Sequence, residues 1–538
     1  MNQLQKQSLL IIVITGYLCW TACQNNQQKK VSEKITDSIP SKSSKKNNSL
    51  QGNFSTQTVL HFDSNKINHF ITKYPLFKPL QNDIQKFYAS RKYTYAWYDK
   101  SGIIEQADNL YNRITNIVEE GLPENILYKD SLTELFQQSS TAPNTENELM
   151  LTAQYFDYAQ KAWGGISEKE TKSLDWFLPR KKIDLPFLMD SLLKDPASEI
   201  IKNGYTYRQY GLLKDYLKKY RDIESKNKWA YIQPGNKSFK ISDSSSIIPM
   251  VREKLFLLGD LPVNSANIVF DKDLETAIKK FQYRFGMKED GIVGAAVIKQ
   301  LNEPLDKYIR MLIVNMERCR WVPAHLKNNY LIVNIPAFEL FSYENDSLLF
   351  TMKVVVGKEV HKTVIFNGDL KYVVFSPYWN VPPSIMKNEI LPALKKDPAY
   401  LQKHNMEWNG NSIRQKPGPK NSLGLVKFLF PNSYNIYLHD SPAKSLFNEN
   451  ARAFSHGCIR VAQPKKLAEY LLQDDPNWTE TKIEAAMKKG KEQYVTLKNP
   501  VPVFIAYLTT WVDREGKLNI RKDIYNRDER LANMLIKN

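Results

Sequence analysis

At 538 residues the chain is too long for one hydrophobic core, and at about 150 residues per domain it is expected to hold two to four. Its 42% apolar and 25% charged residues are ordinary for a folded protein, so a wholly disordered chain is excluded. The 75 Lys and Arg against 57 Asp and Glu leave a formal charge of +18, which favours an acidic polymer or an anionic membrane surface as partner. The basic residues run along the whole chain without a zinc finger, basic-region heptad or aromatic RNA-binding signature, so no nucleic-acid partner is expected.

Residues 1–23 read MNQLQKQSLLIIVITGYLCWTAC, with one lysine, an apolar stretch from Leu9 to about Trp20, then Thr21 and Ala22 before Cys23. This is the pattern of a secretory signal. The apolar run is short for a membrane span of about 20 residues. Small residues ahead of a cysteine resemble a bacterial lipoprotein cleavage box, which implies lipidation of Cys23 and an exported, membrane-anchored protein of the periplasm or cell envelope. Trp20 departs from the aliphatic residue usual in that box, and a simple cleaved signal peptide is the alternative reading. Residues 24–66 are Ser, Lys, Asn and Gln with few bulky apolar residues, and are predicted to be a disordered tether.

Four cysteines occur, and Cys19 and Cys23 belong to the leader. Cys319 and Cys458 remain, too few for a disulfide scaffold. Cys319 ends a helical run in ERCRW, where a small buried residue suffices, and no bond to Cys458 is expected.

From 67 to 246 the pattern is helical, as in ADNLYNRITNIVEEGL, where Leu110, Ile114, Ile117 and Val118 fall on one face. A helical scaffold domain is predicted there. Between 247 and 302, VREKLFLLGDLP and FDKDLETAIKKFQYRFGMKEDGIVGAAVIKQLN give two amphipathic helices closed by glycine turns, with Leu255, Leu258, Leu274, Ile278, Phe281 and Phe285 packed together. This stretch resembles the small three-helix peptidoglycan-binding domain through Leu258, Gly259 and Leu261, then Ala277, Ile278, Phe281, Gln282, Gly286, Asp290, Gly291 and Gly294. Nearly all these positions are structural, so a spacer that keeps the fold without gripping sugar is the alternative.

A linking helix is predicted over 303–324, followed by a mainly-β domain over 325–515. Its β-branched and aromatic runs break at Asn345-Asp346 and at Gly357, which predicts antiparallel pairing. Residues 384–411, SIMKNEILPALKKDPAYLQKHNMEWN and onward, read as a helical, lid-like insertion, and 516–538 as a C-terminal tail. The fold class is thus multidomain α+β.

The stretch YLHDSPAKSLFNENARAFSHGCIRV, from Tyr437 to Val461, carries the chemistry. A cysteine attacks only as thiolate, and a neighbouring histidine is the usual means of making one. A tight glycine-containing turn, here Ser455-His456-Gly457-Cys458, can aim successive backbone N–H groups at an oxyanion. The histidine, a spacer of about fifteen residues and then Ser-His-Gly-Cys, an apolar residue and Arg resemble the L,D-transpeptidase signature. The resemblance implies Cys458 as nucleophile, His439 as base, and His456 and Gly457 as shapers of the oxyanion turn. It implies that Asp440 orients the imidazole through its backbone carbonyl or its side chain, and that Arg460 holds the loop or meets a substrate carboxylate. Tyr378 and Trp379 are groove candidates, though aromatic strand residues are more often packing.

The resemblance implies peptidoglycan stem peptides and glycan as partners, a 3→3 cross-link as product, and chemistry that requires no metal or organic cofactor. His439, His456 and Cys458 include zinc-ligand types, but no further Cys or His falls at ligand spacing, so no metal site is predicted. An L,D-carboxypeptidase or endopeptidase, with water in place of the acceptor amine, stays open. So does a non-catalytic wall-anchoring scaffold, which would have lost Cys458 or His439.

Overall fold

The computed structural model describes residues 59–99, 102–137, 142–194, 206–235, 237–323, 326, 329–345 and 347–536. The signal segment, Cys23 and most of the expected tether lie outside them. The protein is multidomain α+β, with helical N-terminal and central regions followed by a mainly-β region. Among the described residues no helix is long and apolar enough to cross a membrane.

Folded structure begins before residue 66. Phe62 is buried against Tyr88, Tyr93 and Tyr95, and its N–H donates to the Tyr93 carbonyl at 3.1 Å, so the tether ends sooner than its polar composition suggests. Around it pack α1 (Asn65–Lys73), α2 (Gln81–Ser90), α3 (Glu105–Thr115) and α4 (Thr145–Ala159). Asn144 caps α4 by accepting from the N–H groups of Glu146 and Asn147, and α4 is buried on nearly every face because it runs through the centre of this bundle. Leu110, Ile114 and Ile117 are buried as predicted. Val118 is exposed, because α3 stops at Thr115 and the following 3₁₀ turn rotates it away from the apolar stripe.

A second apolar core takes in Leu174, Trp176 and Leu178, skips Leu185–Leu192, which pack on the first, and runs from α5 (Gln209–Lys226) through the C-terminal residues apart from the insertion. Its central part is the compact module of α6 (Ile248–Leu258), α7 (Lys272–Arg284) and α8 (Ala295–Leu301), where Leu255, Leu258, Leu274, Ile278, Phe281 and Phe285 pack as expected. Gly259 closes α6 at φ +89°, a left-handed conformation that favours glycine. Gln282 and Asp290 hold the following loop: the Gln282 amide donates to Asp290 at 2.7 Å and accepts from the Gly291 N–H at 2.8 Å. The linking helix α9 (Leu305–Trp321) is buried along most of its length and carries Cys319, which is buried, free, and pushed up to about 12 by desolvation.

The β region has strands β1 (Asn329–Asn334), β2 (Glu339–Glu344), β3 (Ser347–Gly357), β4 (Asn367–Phe375), β5 (Trp379–Asn380), β6 (Met406–Asn409), β7 (Ser412–Gln415), β8 (Val426–Leu429), β9 (Leu438–His439), β10 (Ala453–Ser455), β11 (Ile459–Val461) and β12 (Gln493–Ala506). The main sheet runs β10-β3-β11-β9-β8-β4-β12-β1-β2, and a further β2–β3 pairing closes it into a ring. Most neighbours are antiparallel, as predicted. Three pairs, β9–β11, β12–β1 and β10–β3, are parallel, a register the local pattern of β-branched residues does not encode.

Two expectations change. The 384–411 insertion is helical only to Lys403. It then forms a hairpin of β6 and β7 joined by β5, over a small core of Val381, Ile390 and Ile413. The segment 516–538 is no tail. β13 (Thr510–Val512) pairs with β14 (Leu518–Ile520), Tyr525 is buried, and α10 (Asp528–Ile536) is tied to α9 by the Arg318–Asp528 ion pair at 2.6 Å. Charge-rich composition conceals this because the charges there are paired internally.

Candidate active site

The register of the parallel pair β9–β11 sets the geometry. Leu438 lies opposite Ile459 and both are fully buried in the core, so Tyr437, His439, Cys458 and Arg460 project from the other face of the same two strands. His439 stands across from Arg460, with Cys458 one step away along the neighbouring strand.

Cys458 ends the turn between β10 and β11, both of which pair with β3. Within the turn, the Ser455 hydroxyl accepts from the Gly457 N–H at 3.1 Å and donates to the Cys458 carbonyl at 2.5 Å. Gly457 has φ +113°, a conformation that disfavours any side chain there. The Gly457 N–H is therefore engaged by Ser455 inside the turn. Among the described residues the Cys458 N–H has no acceptor, so it is a donor this turn can offer.

The thiol lies 3.6 Å from the Asn435 carbonyl oxygen and is hydrogen-bonded to Tyr437. Burial pushes the Cys458 thiol above its ordinary value, against the Tyr437 hydrogen bonds and the charge of Arg460. His439 is buried at the end of β9, with Nδ1 2.5 Å from the Asp440 carbonyl oxygen. A carbonyl only accepts, so Nδ1 carries the proton. Burial first, and then the Arg460 charge, push His439 down to about 3, against the carbonyls of Asp440 and Leu423. The ring is neutral at neutral pH.

Asp440 uses its two ends separately. Its backbone carbonyl meets the imidazole, while its carboxylate accepts from the N–H groups of Leu425 at 2.9 Å and Ser441 at 2.7 Å and pairs with Lys444. Of the two ways to orient the imidazole, the structure shows the backbone one. Gly424, at φ +63°, lies against that carboxylate, and a Cβ there would come within 2.3 Å of it. Arg460 is half-buried and its side chain makes no hydrogen bond or ion pair among the described residues.

The remaining candidates fall elsewhere. His456 meets the insertion and the loop that follows β3: its Nε2 lies 3.0 Å from Glu389 and its ring packs 4.9 Å from that of His361. Tyr378 lies under the Arg414 guanidinium at 4.2 Å, and Trp379 packs on the insertion's core, so both are accounted for by packing. Sequence reasoning missed Tyr437, although the alternation in Tyr437-Leu438-His439 places it on the same face as the histidine. It also missed Asn435 and Thr363, which no local pattern marks. Among the described residues no cluster of His, Cys, Asp and Glu is arranged to hold a metal ion.

Comparison with known proteins agrees with this architecture. Residues 328–502 match the L,D-transpeptidase catalytic domain, residues 82–217 a scaffold domain, and residues 248–301 a domain described as "putative peptidoglycan binding domain". A Haemophilus influenzae protein described as "putative L,D-transpeptidase" is 32% identical over 241 residues, covering 41% of this chain and 48% of that protein. The chain thus spans about half the length of this relative. Among solved structures, an L,D-transpeptidase of Stackebrandtia nassauensis is 14% identical over 51% of this chain and 97% of its own, with a TM-score of 0.23. One from Mycobacterium smegmatis is 13% identical over 33% of this chain and 58% of its own, with a TM-score of 0.20. Residues 328–502 thus match an L,D-transpeptidase catalytic domain, set behind segments that match a scaffold domain and a peptidoglycan-binding domain.

Proposed function

We propose that the protein is an L,D-transpeptidase that forms 3→3 peptidoglycan cross-links through a Cys458 thioester. The observation that carries the reading is the β9–β11 register, which sets thiol and imidazole on one face of adjacent strands, within a domain of that family. The sulfur attacks the carbonyl of the third residue of a donor tetrapeptide, and its proton passes to His439. The resulting oxyanion is met by the Cys458 N–H. As the tetrahedral centre collapses, the bond to the terminal D-alanine breaks and its nitrogen takes the proton from His439, leaving a thioester. The side-chain amine of a second stem's diamino acid then attacks the thioester, losing a proton as the amide forms and the thiol returns.

Since burial raises the thiol and lowers the imidazole, the resting pair is neutral. Proton removal accompanies attack, and the rate rises toward alkaline pH. The unpaired guanidinium of Arg460 supports binding of a substrate carboxylate over a loop-holding role. We read residues 248–301 as a glycan-holding module, and the leader as an export signal with a lipid anchor at Cys23, which would place the catalyst at a membrane facing the wall.

Intact-protein mass spectrometry after incubation with a disaccharide-tetrapeptide tests the assignment. The expected result is a wild-type adduct lacking the terminal D-alanine, accumulation of muropeptide dimers, and loss of both in Cys458→Ala. Release of tripeptide without dimers makes the protein a carboxypeptidase. Turnover by the Cys458→Ala variant removes the nucleophile assignment.

A further inference from the structure

The turn that carries Cys458 is held from outside by a hydrogen-bonded ring that ends in the C-terminal segment, beyond the matched catalytic domain. Thr363 is fully buried, and its hydroxyl donates to the Gly457 carbonyl at 2.8 Å while accepting from the Gly357 N–H at 2.9 Å. The Thr363 N–H donates to the Tyr525 hydroxyl at 3.2 Å, and that hydroxyl donates to the Gly357 carbonyl at 2.5 Å. Each hydroxyl has one hydrogen, and both are committed, so the ring has a single bonding direction.

Tyr525 is itself fixed. Its ring stacks on that of Tyr507 at 5.5 Å, and its N–H donates to the Tyr507 hydroxyl at 2.9 Å, which in turn donates to Asp523 at 2.5 Å. Asn526 reaches Glu359 at 2.8 Å and the Lys362 ammonium reaches the Tyr525 carbonyl at 3.2 Å, so residues 523–526 clamp the loop from 357 to 363.

The consequence follows from peptide planarity. In a trans peptide the C=O of one residue and the N–H of the next point in opposite directions in one rigid plane. Thr363, by fixing the Gly457 carbonyl, fixes the direction of the Cys458 N–H, a donor of the turn that has no acceptor among the described residues. We propose that Thr363 and Tyr525 are positioning residues that aim the Cys458 N–H at the developing oxyanion. The C-terminal segment is then part of the catalytic apparatus although it touches no substrate. This rests on the reading of Cys458 as nucleophile.

The test uses the mature full-length protein with a disaccharide-tetrapeptide, comparing Thr363→Val, Thr363→Ser, Tyr525→Phe and Cys458→Ala. Loss of one oxyanion donor lowers kcat by roughly a hundredfold or more, so Thr363→Val is expected to lose on the order of a hundredfold in kcat with KM within about twofold. Tyr525→Phe, one bond further out, is expected to lose about tenfold. Thr363→Ser keeps the hydroxyl and should restore most of the rate. Wild-type kcat in both Thr363→Val and Tyr525→Phe, with Cys458→Ala inactive, overturns the positioning role alone. A Thr363→Ser rate as low as that of Thr363→Val also overturns it, because packing of the lost methyl would then be the cause. Turnover by Cys458→Ala overturns the nucleophile reading and the positioning role with it.

Discussion

The helical region from Phe62 to Ala162, joined by Leu185–Leu192, and the body formed by Leu174–Leu178 with the residues from Tyr210 onward each have their own apolar core, and they differ in how they meet their neighbours. The second body fuses the small helical module, α9 and the sheet into one continuous core, so no apolar boundary separates regions that the sequence divides at residue 303. The seam between the two cores is polar. Arg320, fully buried, donates to the carbonyls of Ala162 at 3.0 Å and Glu120 at 2.6 Å and pairs with Glu317 at 2.7 Å. Glu120 also accepts from Lys214, Tyr158 and Tyr210. Apolar cores tolerate small slides, whereas a buried ion pair holds one register. Removing one partner of a buried pair typically costs about 3–5 kcal/mol because the other charge is left unpaired. Arg320→Met is therefore expected to lower stability by about that much and to split one calorimetric transition into two. A single transition at unchanged midpoint would show the seam to be passive.

The module inside the second body offers the same contrast on a smaller scale. Arg284 forks onto Asp260 at 2.7 and 2.5 Å and also donates to the Leu518 carbonyl at 2.9 Å, tying α7 to the β13–β14 hairpin. Asp260→Ala is expected to cost about 3 kcal/mol, and to loosen residues 518–520 together with 272–284 in hydrogen exchange. If only the module loosened, the fused core would have to be held by its apolar contacts alone.

Much of this was legible in sequence and some was not, for identifiable reasons. The module's core was readable because helical spacing and glycine turns are local. His439 and Cys458 were readable as candidates because the motif fixes both residue types at a set separation. The parallel register that puts them on one face was not, since strand partners distant in sequence leave no local periodicity. The C-terminal segment read as a tail because its stabilising residues, Arg318 with Asp528 and Tyr507 with Tyr525, are partners across long separations. The Ser455 hydroxyl's capture of the Gly457 N–H was hidden for a related reason: a turn sequence gives residue types, not which donor remains open.

The two cores also differ in their response to pH. Glu148 in α4 accepts from Tyr88 and from the N–H groups of Ala96 and Trp97, yet burial raises it to about 7. A raised carboxyl contributes stability fully present below its unfolded value and lost as pH rises through the folded value. The helical core is therefore expected to weaken from about pH 4.5 to 7. His439, lowered from 6.5 to about 3, acts oppositely: its contribution is present above pH 6.5 and is lost as pH falls toward 3. Each group contributes a slope of at most about 1.4 kcal/mol per pH unit within its window. Hydrogen exchange at pH 5 and pH 7, corrected for intrinsic rates, should show residues 145–159 better protected at the lower value and residues 438–461 at the higher. Parallel trends in both segments would exclude these two groups as the cause.

The smallest effect is expected where the insertion meets the active-site turn. Its core is apolar, with Val381, Ile390 and Ile413 buried, while its outer face touches the turn through Glu389 and His456, both exposed. An exposed pair of this kind contributes roughly 0–1 kcal/mol and is screened by salt, whereas truncating a buried aliphatic residue costs about 2–5 kcal/mol. Glu389→Gln should leave the thermal midpoint nearly unchanged at any ionic strength, and Ile413→Ala should lower it. Because the apolar core alone then fixes the insertion, the Glu389 contact with His456 can break without unfolding anything. A Glu389→Gln loss comparable to that of Ile413→Ala would instead make the Glu389–His456 contact the main attachment and the insertion a fixed wall of the site.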